Sequence, residues 1–258
     1  ALLFAEICQQ AELPDGVVNI VTGFGDTGAM MVGHPDVNKV AFTGSTDVGR
    51  IIAKQIAGTD KKATLELGGK AANIVFEDAA LDQAVEGIVN GIFFNQGHVC
   101  CAGSRLLVQE SVHDVVIKKL KARMENIRLG DPMDKNTDIG AINSKEQLTK
   151  IDRLVKQGVK EGGEAWAPSC VIPKNGFWYA PTIITGVSPA NTVVREEIFG
   201  PVLSVMTFRT PAEAVAKANN SQYGLSAGVW SEKGSRILKI ADQLNAGVVW
   251  ANTFNQFD

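Results

Sequence analysis

One cysteine in this 258-residue sequence lies in a segment suited to expose a reactive thiol. Cys100 follows a helical pattern that ends near Phe94, and Gly97 allows a turn with positive φ before it. The Ala-Gly pair after Cys101 keeps the neighbourhood small enough for a substrate to approach. A structural cysteine instead lies on an apolar face among bulky neighbours. The segment favours a thiol nucleophile, with a small buried core residue or a disulfide between the adjacent cysteines as alternatives.

A carboxylate with few polar neighbours, Glu66, lies near the end of the apolar run 63–67 and before two glycines. Burial raises the pKa of a carboxyl group toward neutrality, where a general base is most effective. Glu66 is therefore a candidate base. Two other arrangements are open, because Glu66 could point outward to solvent or pair with Lys70. The two glycines give a plausible hinge after the strand.

Two further segments could bind a nucleotide. GSTDVG at 44–49 places a glycine turn between a strand and a helix, where backbone N–H groups and hydroxyls suit a pyrophosphate. REEIFGP at 195–201 places two carboxylates beside Phe199, which could orient a ribose and stack on a planar ring. Each segment also fits a simpler structure: an ordinary N-capped helix for the first and a solvated turn for the second.

Four segments, taken in their order, resemble the aldehyde dehydrogenase superfamily. They are GSTDVG at 44–49, LELGGK at 65–70, FNQGHVCCA at 94–102 and EEIFGP at 196–201. The separation between Glu66 and Cys100 is also similar to that family's, and the similarity extends over the whole chain. Each motif alone is moderately specific, but four in this order are specific.

The resemblance implies an enzyme that oxidises aldehydes to acids with NAD or NADP. Cys100 matches the nucleophile, and Glu66 matches the base that activates the hydrolytic water. No metal is implied. The residues that match cofactor contacts are Gly44, Ser45, Thr46, Gly49, Leu67, Glu197 and Phe199. Those that match the wall of the substrate tunnel are Phe94, Val99, Cys101 and Phe257.

His98 departs from the family pattern, which usually has Gln or Glu at this position. A Cys–His pair with Cys100 is one interpretation, because an adjacent imidazole can activate a thiol. We do not expect the two side chains to meet, since they lie two residues apart in a tight turn and Glu66 already supplies a base. We expect instead that His98 makes a local hydrogen bond or exerts a mild polar influence near the thiol.

The bulk composition excludes several classes of protein. The chain is 45% hydrophobic and 21% charged with a net charge of −3, so it lacks a basic surface for nucleic acid or an anionic membrane. No apolar run is long enough to span a membrane, and no signal peptide is visible. The four cysteines lack CxxC spacing, so we predict a reducing, cytoplasmic location.

Strands and helices alternate along the sequence, which predicts an α/β fold with parallel strands. Residues 1–67, with strands at 17–21 and 63–67 among others, are predicted to be the C-terminal part of a Rossmann-like doubly wound dinucleotide-binding domain. Ligands of such sheets lie at the carboxyl ends of the strands. Residues 68–258 are predicted to form an aldehyde dehydrogenase-like α/β catalytic (thiol) domain, with strands at 73–76, 105–109, 201–208, 226–230 and 247–251.

Helix starts are also marked in the second part of the sequence. Ser144 and Gln147 form a capping box, and Thr210 followed by Pro211 is typical of an N-cap and a first helical residue. Apolar residues at helical spacing predict further helices over 81–93 and 112–127.

The chain begins inside a helical pattern and ends after a strand-like run. We therefore expect a partial chain that lacks an N-terminal part and the extreme C-terminus. The resemblance implies that the N-terminal part supplies residues for the adenosine ribose, which decide between NAD and NADP, and an asparagine of the oxyanion site. The isolated chain is then expected to bind cofactor weakly. The resemblance also implies a homodimer or homotetramer that acts on a small-molecule aldehyde.

Two functions of other classes fit the same residues. One is a non-enzymatic scaffold with the same fold, against which the pair of Cys100 and Glu66 speaks. The other is a thiol hydrolase or acyltransferase that uses Cys100 without a nicotinamide.

Overall fold

A computed structural model describes residues 1–256 and divides the chain into two compact units. The first unit is Ala1–Leu67, and the second begins at Gly68. The division falls at the glycine pair that follows the apolar run ending in Leu67. Within residues 1–256, no helix has the length and apolar character needed to cross a membrane.

The first unit contains a two-stranded parallel sheet. Strand β1 (Lys39–Thr43) pairs with β2 (Lys62–Glu66), and Thr43 lies opposite Glu66 where both strands end. Its helices are α1 (Leu2–Gln10), α2 (Gly25–Gly33) and α3 (Thr46–Ile56). Its small buried core consists of Val32, Val40 and Ile52.

The strand predicted at 17–21 is wrong, because this run forms no strand. Val17 and Val21 are more than 60% exposed, and no described strand pairs with the run. High β-propensity reflects packing on a sheet, so a β-branched run without a neighbouring strand does not form one by itself.

The second unit is built on a single sheet. In chain order its strands are β3 (Ala72–Val75), β4 (Arg105–Gln109), β5 (Glu164–Trp166), β6 (Thr182–Thr185), β7 (Val202–Phe208), β8 (Ser226–Trp230) and β9 (Val248–Ala251). Across the described residues the sheet has seven strands in the order β5-β6-β7-β4-β3-β8-β9. Neighbours are parallel except β5 and β6.

Within residues 68–256, two clusters of buried apolar residues and six α-helices accompany the sheet. The helices are α4 (Leu81–Phe93), α5 (His113–Met124), α6 (Lys145–Lys160), α7 (Thr192–Arg195), α8 (Pro211–Asn219) and α9 (Gly234–Ala241). The predicted N-caps are confirmed, since Ser144 Oγ accepts the N–H of Gln147 at 3.1 Å and Thr210 Oγ1 accepts that of Glu213 at 3.2 Å. The reciprocal half of the capping box is not formed among the described residues, because the Gln147 side chain donates to Ile198 and Phe199 instead. The five predicted strands are confirmed to within one residue, whereas β5, β6, α7 and α9 were not predicted.

The amino ends of the parallel strands meet at one edge of this sheet. Ala72 lies opposite Arg105, and Arg105 lies opposite Ser204. The segments that lead into β3, β4 and β7 are therefore neighbours, and in the second unit these segments contain residues 68–70 of LELGGK, the cysteine pair and EEIFGP. The first unit has the opposite arrangement, because its GSTDVG turn follows β1 at the carboxyl end, as expected for a doubly wound sheet.

Candidate active site

The thiol loop, residues 94–103, connects α4 to β4. Asn95, Gln96 and Gly97 have φ values of 50°, 47° and 73°, so three successive residues in the left-handed region reverse the chain. A Cβ on Gly97 would lie 2.2 Å from the carbonyl oxygen of Gly200. Glycine is therefore required here, both for the backbone conformation and for the close approach of the two segments.

Cys100 is half-buried in a turn of this loop that the hydrogen bond from Ala102 N to Val99 O, at 3.1 Å, closes. Gly69 packs against it so closely that a Cβ there would lie 2.1 Å from the Cys100 carbonyl oxygen. Among the described residues, the backbone N–H of Cys100 donates no hydrogen bond. The loop thus places an accessible thiol beside a free N–H donor, which can bind a developing oxyanion.

Cys101 has a different environment from its neighbour. Its side chain is buried, and Sγ donates to Oδ1 of Asn255 at 3.4 Å. Burial, and then the charge of Cys100, raise the pKa of the Cys101 thiol to about 11. Both cysteines are free thiols, so the disulfide alternative is wrong. Because the thiolate is the nucleophilic form, Cys101 is unsuited to attack a substrate near neutral pH.

Glu197 lies directly against the glycine pair. Its Oε1 accepts the backbone N–H of Gly69 at 3.1 Å, and a Cβ on Gly68 would lie 2.2 Å from Oε2. Burial raises the pKa of Glu197, while the Gly69 hydrogen bond and the charges of Lys150 and Lys70 oppose that rise. The carboxylate is thus held in place with acceptor capacity left for a ligand that offers hydroxyl donors.

The EEIFGP turn, residues 196–201, has a strained centre. Phe199 has a φ of 55°, which is uncommon for a residue with a bulky side chain. The side chain of Gln147 holds the backbone, since Nε2 donates to the carbonyl oxygens of Ile198 and Phe199, both at 2.8 Å. The sequence predicted a capping-box role for this side chain, so its bonds to the EEIFGP turn were missed.

His98 stacks on Phe199, with ring centroids 5.2 Å apart and ring planes 6° from parallel. Its Nε2 is buried and has no hydrogen-bond partner in the described part of the chain. The expected local hydrogen bond of the imidazole is therefore not formed, although the backbone of His98 is bonded to Asn95. Burial lowers the pKa of His98, which favours the neutral ring.

Lys70, the last residue of LELGGK, is 2% exposed, and Nζ has no partner within residues 1–256. Burial, and then the nearby charge of Arg105, lower its pKa to about 7. Arg105 Nε donates to the Lys70 carbonyl oxygen at 2.8 Å, which fixes the end of the glycine segment. Because Lys70 Nζ has no partner among the described residues, the alternative that Lys70 pairs with Glu66 is excluded. Pattern alone gave no reason to expect so deeply buried a lysine.

In the first unit the GSTDVG turn opens α3 as predicted. Ser45 is the N-cap, and its Oγ accepts the N–H of Val48 at 3.3 Å. Gly44 N donates to the Glu66 carbonyl oxygen at 3.0 Å, so the turn is fixed to the end of β2. A Cβ on Gly49 would lie 2.5 Å from the side chain of Leu67, which explains the second glycine. Thr46 is the first helical residue.

An apolar cavity of about 560 Å³ lies beside this turn, within the first unit. Helices α2 and α3 and strand β1 line it, with Phe24, Val48, Ile51 and Ile52 among its side chains. A cavity of this size and character can accept a flat heterocycle next to the helix N-terminus. The sequence did not predict it, because its wall comes from three separate segments.

The side chain of Glu66 is exposed. Of the arrangements that the sequence left open, the outward-pointing one therefore describes Glu66. Strand β2 is largely solvent-exposed along its length, so the apolar character of its sequence did not indicate burial. Glu66 nevertheless ends β2 at the carboxyl end, next to the GSTDVG turn.

The remaining predicted residues belong to the proposed substrate tunnel. Phe94 is 61% exposed at the start of the thiol loop, and Val99 is partly buried against the core. Phe257 lies outside the described residues. The second unit thus brings Cys100, Cys101, Val99, Glu197 and Phe199 into two segments that contact each other, and the first unit brings Gly44, Ser45, Thr46, Gly49, Glu66 and Leu67 around one turn.

Within residues 1–256, no group of three or more His, Cys, Asp or Glu side chains could hold a metal ion. The two turns offer a thiol, a carboxylate, backbone donors and an apolar cavity of about 560 Å³.

The whole chain, residues 1–258, matches the profile of the Aldehyde dehydrogenase family, and the chain belongs to that family. Betaine aldehyde dehydrogenase of Rhizobium johnstonii is 43% identical over 259 residues, which cover 99% of this chain and 53% of that protein. The chain spans about half the length of the curated relatives it matches.

Solved structures agree with this assignment. An NAD-dependent aldehyde dehydrogenase from Sinorhizobium meliloti superimposes with a TM-score of 0.96 at 42% identity, covering 99% of this chain and 51% of that one. The NAD+ complex of an aldehyde dehydrogenase from Bacillus cereus gives 0.95 at 42% identity, covering 100% of this chain and 53% of that one. The predicted α/β fold and the family resemblance are confirmed.

Proposed function

We propose that the full protein oxidises an aldehyde to a carboxylic acid with NAD or NADP, through a covalent thioester on Cys100. The observation that supports this most directly is the contact of three motifs in the second unit. Gly69 lies against the carbonyl oxygen of Cys100 and donates its N–H to Glu197. A nucleophile and a candidate ribose-binding carboxylate therefore share one backbone support.

The residues present suit a nicotinamide dinucleotide. The α3 N-terminus, with Gly44, Ser45, Thr46 and Gly49, offers N–H groups for a pyrophosphate. The apolar cavity beside it suits an adenine ring, with Leu67 packed behind the turn. In the second unit, Glu197 and Phe199 are proposed to contact the nicotinamide ribose. The relatives named above as NAD-dependent or NAD+-bound support this choice of cofactor, with either NAD or NADP proposed here.

In the proposed first stage the thiolate of Cys100 adds to the aldehyde carbonyl carbon. A C–S bond forms, and the electron pair moves to the carbonyl oxygen, where the free N–H of Cys100 donates a hydrogen bond. Loss of hydride from the same carbon restores the carbonyl and leaves a thioester. A bound nicotinamide supplies the acceptor for that hydride.

In the proposed second stage Glu66 acts as the general base. It takes a proton from a water molecule while the water oxygen attacks the thioester carbonyl. The C–S bond then breaks, the carboxylic acid leaves, and Cys100 is released as thiolate. Val99, Cys101, Phe94 and Phe257 are proposed to line the path of the aldehyde.

The proposal assigns the first unit to a dinucleotide-binding domain and the second to a catalytic domain. It also includes a homodimeric or homotetrameric full protein, located in the cytoplasm and acting without nucleic acid or membrane. Size-exclusion chromatography with light scattering on the full protein tests the oligomeric part.

The central test measures NADH or NADPH formation by the full protein with a panel of aldehydes. Cys100→Ala should abolish turnover. Glu66→Gln should slow steady-state turnover by about 10²–10⁴-fold, the usual contribution of a general base, while one equivalent of reduced cofactor still forms rapidly. Mass spectrometry should then find an acyl group on Cys100. Asp60→Asn, an exposed acid of the first unit, is the matched control and should change neither rate.

Other outcomes identify the rival functions. Ester cleavage without nicotinamide, lost in Cys100→Ala, would indicate a thiol hydrolase. Neither activity in the folded full protein would indicate a scaffold. Unchanged steady-state turnover in Glu66→Gln would remove Glu66 from the mechanism.

A further inference from the structure

We propose that His98 is a positioning residue that holds Phe199 in its cofactor-binding conformation, and that this makes cofactor affinity decrease in weak acid. The inference rests on the proposed function of Phe199 as a cofactor contact. It concerns a residue that the catalytic steps above do not use.

Phe199 has a strained backbone conformation. A φ of 55° is costly for an aromatic residue and persists only when the surroundings hold it. Gln147 holds the two carbonyl groups at 2.8 Å, but that bond leaves the side chain of Phe199 free to choose its orientation. The described ring that stacks on Phe199 is the imidazole of His98.

The backbone of His98 is itself held in place. Its backbone N–H donates to Asn95 O at 2.9 Å, and its carbonyl oxygen accepts Nδ2 of Asn95 at 3.1 Å. Its neighbour Gly97 lies against Gly200, immediately after Phe199. The thiol loop and the EEIFGP turn therefore meet at two adjacent points, one backbone contact and one ring stack. A parallel pair with centroids 5.2 Å apart is an offset stack, a favourable geometry for aromatic rings.

The surroundings of the His98 ring disfavour a positive charge on it. Nε2 of His98 is buried without a partner within the described chain, and burial is the one cause that lowers its pKa. Cys100 lies on the same loop, Glu196 and Glu197 lie on the opposing turn, and Lys150 lies on α6. None of these groups shifts the pKa of His98 in either direction, so neither carboxylate stabilises an imidazolium here. Protonation therefore favours a ring that leaves the stack for water.

The lowered pKa of His98 sets the direction in which cofactor affinity changes with pH. A lowered His pKa means that the stacked, neutral state is fully available above the ordinary value of 6.5 and is lost as the pH falls through the lower folded value. Cofactor affinity should fall over the same range. Glu197 also titrates in acid, so wild type alone cannot separate the two residues.

Two variants of the full protein separate them. His98→Phe keeps a ring of similar size but cannot titrate, and His98→Gln removes both the ring and the titration. NAD and NADP dissociation constants are measured by calorimetry between pH 5.5 and pH 8. His98→Gln should bind about 3- to 10-fold more weakly at pH 8, the range that one aromatic pair contributes. His98→Phe should bind like wild type at pH 8 and lose less affinity in acid, keeping only the part due to Glu197.

Two results would overturn the inference. Equal affinity of His98→Gln and wild type at pH 8 would show that the stack does not position Phe199. An acid loss in His98→Phe equal to that of wild type would assign the whole effect to Glu197. Thermal unfolding of each variant checks that it is folded. If His98→Gln does not fold, the pH comparison with His98→Phe decides the matter.

A spectroscopic measurement tests the stack without a cofactor. The imidazole of His98, identified by its absence in His98→Phe, should titrate below 6.5 in wild type and move toward 6.5 in Phe199→Leu. No change in Phe199→Leu would contradict the stack. Wild-type protein that neither binds nor reduces NAD or NADP would instead contradict the proposed function, which keeps the two failures distinct.

Discussion

Oε1 of Glu197 accepts the backbone N–H of Gly69 at 3.1 Å, although 128 positions separate the two residues in the chain. Gly69 is at the same time in contact with the carbonyl oxygen of Cys100. A single backbone segment therefore sets the distance between the nucleophile loop and the carboxylate proposed to hold the cofactor. Changes at Gly69 should therefore affect both the nucleophile loop and the carboxylate. Of the two, changes at Glu197 should affect the cofactor contact alone.

Gly69→Ala should damage stability and turnover together. The added Cβ would lie 2.1 Å from the Cys100 carbonyl oxygen, which is backbone and cannot move aside cheaply. We expect a loss of about 1–3 kcal/mol in the free energy of unfolding, the usual cost of overpacking, with a large decrease in kcat. Denaturant unfolding and steady-state kinetics measure the two effects.

Gly234→Ala is the matched control. Gly234 begins α9, has no positive φ, and a Cβ there meets nothing within 4 Å. This variant should be unchanged or slightly more stable, because alanine reduces the entropy of the unfolded chain. A fully active, equally stable Gly69→Ala protein would contradict the contact.

Glu197→Gln should raise the stability of the protein at pH 7 while it weakens cofactor binding. Burial raises the pKa of Glu197, so its contribution to stability is fully present below about pH 4.5 and is lost as the pH rises through the folded value. The glutamine variant should therefore be more stable than wild type at pH 7, with a difference that disappears in acid. Its amide oxygen can still accept the Gly69 N–H, as required for folding.

The same variant should bind NAD or NADP about 10- to 100-fold more weakly, the usual value of hydrogen bonds to a charged acceptor. Calorimetry at pH 7.5 gives the affinity, and unfolding curves at pH 4.5 and pH 7 give the stability. Weaker binding accompanied by lower stability at pH 7 would instead indicate general damage to the turn.

Lys70→Met should stabilise the protein at neutral pH. Burial lowers the pKa of Lys70 from 10.5 to about 7, so its favourable contribution is present above about pH 10.5 and is lost as the pH falls toward 7. The loss across that window is on the order of 5 kcal/mol as an upper bound. Methionine fills similar space without the charge, so the pH dependence of stability between pH 7 and pH 9.5 should flatten.

Lys118→Met serves as the comparison for Lys70→Met, because Lys118 is exposed on α5. That variant should keep the wild-type pH dependence. Chemical denaturation at pH 7, 8 and 9.5 measures all three proteins. An equal slope in wild type and Lys70→Met would mean that Lys70 is not charged differently in the folded and unfolded states.

Alkylation should distinguish the two adjacent cysteines. The pKa of Cys101 is raised to about 11 by burial, so its thiolate is scarce at pH 7.5, whereas Cys100 is half-buried in a turn. Iodoacetamide should label Cys100 and leave Cys101 unmodified, as read by peptide mass spectrometry. Cys101→Ala should retain turnover within about 10-fold and lose about 1–2 kcal/mol of stability as a small cavity forms. Preferential labelling of Cys101 would reverse the assignment.

Sequence pattern predicted much of the fold because the relevant signals are local. The caps at Ser144 and Thr210 depend on residues three positions apart, and the centres of strands such as β4 and β8 are apolar, at 106–108 and 227–230. The run 17–21 failed for a non-local reason, since a strand needs a partner. The site shows the same difference between local signals, which the sequence pattern predicts, and contacts between distant segments, which it does not.

The order of motifs indicated Cys100 and Glu197, but not how they are held. The bonds of Gln147 to the EEIFGP turn, the stack of His98 on Phe199 and the burial of Lys70 all arise from contacts between segments far apart in sequence. The sequence left the exposure of Glu66 open for a related reason, because apolar neighbours along a strand say nothing about which face is covered.

The inner position of β3 has a consequence during synthesis. β3 lies between β4 and β8, yet β8 at Ser226–Trp230 is made far later. At about 5–20 residues per second, β3 waits on the order of ten seconds with the N–H and C=O groups of one edge unpaired. A nascent chain of this kind is prone to aggregate, so lower growth temperature or added chaperone should raise the soluble yield. A chain stopped before residue 226 should not accumulate in soluble form.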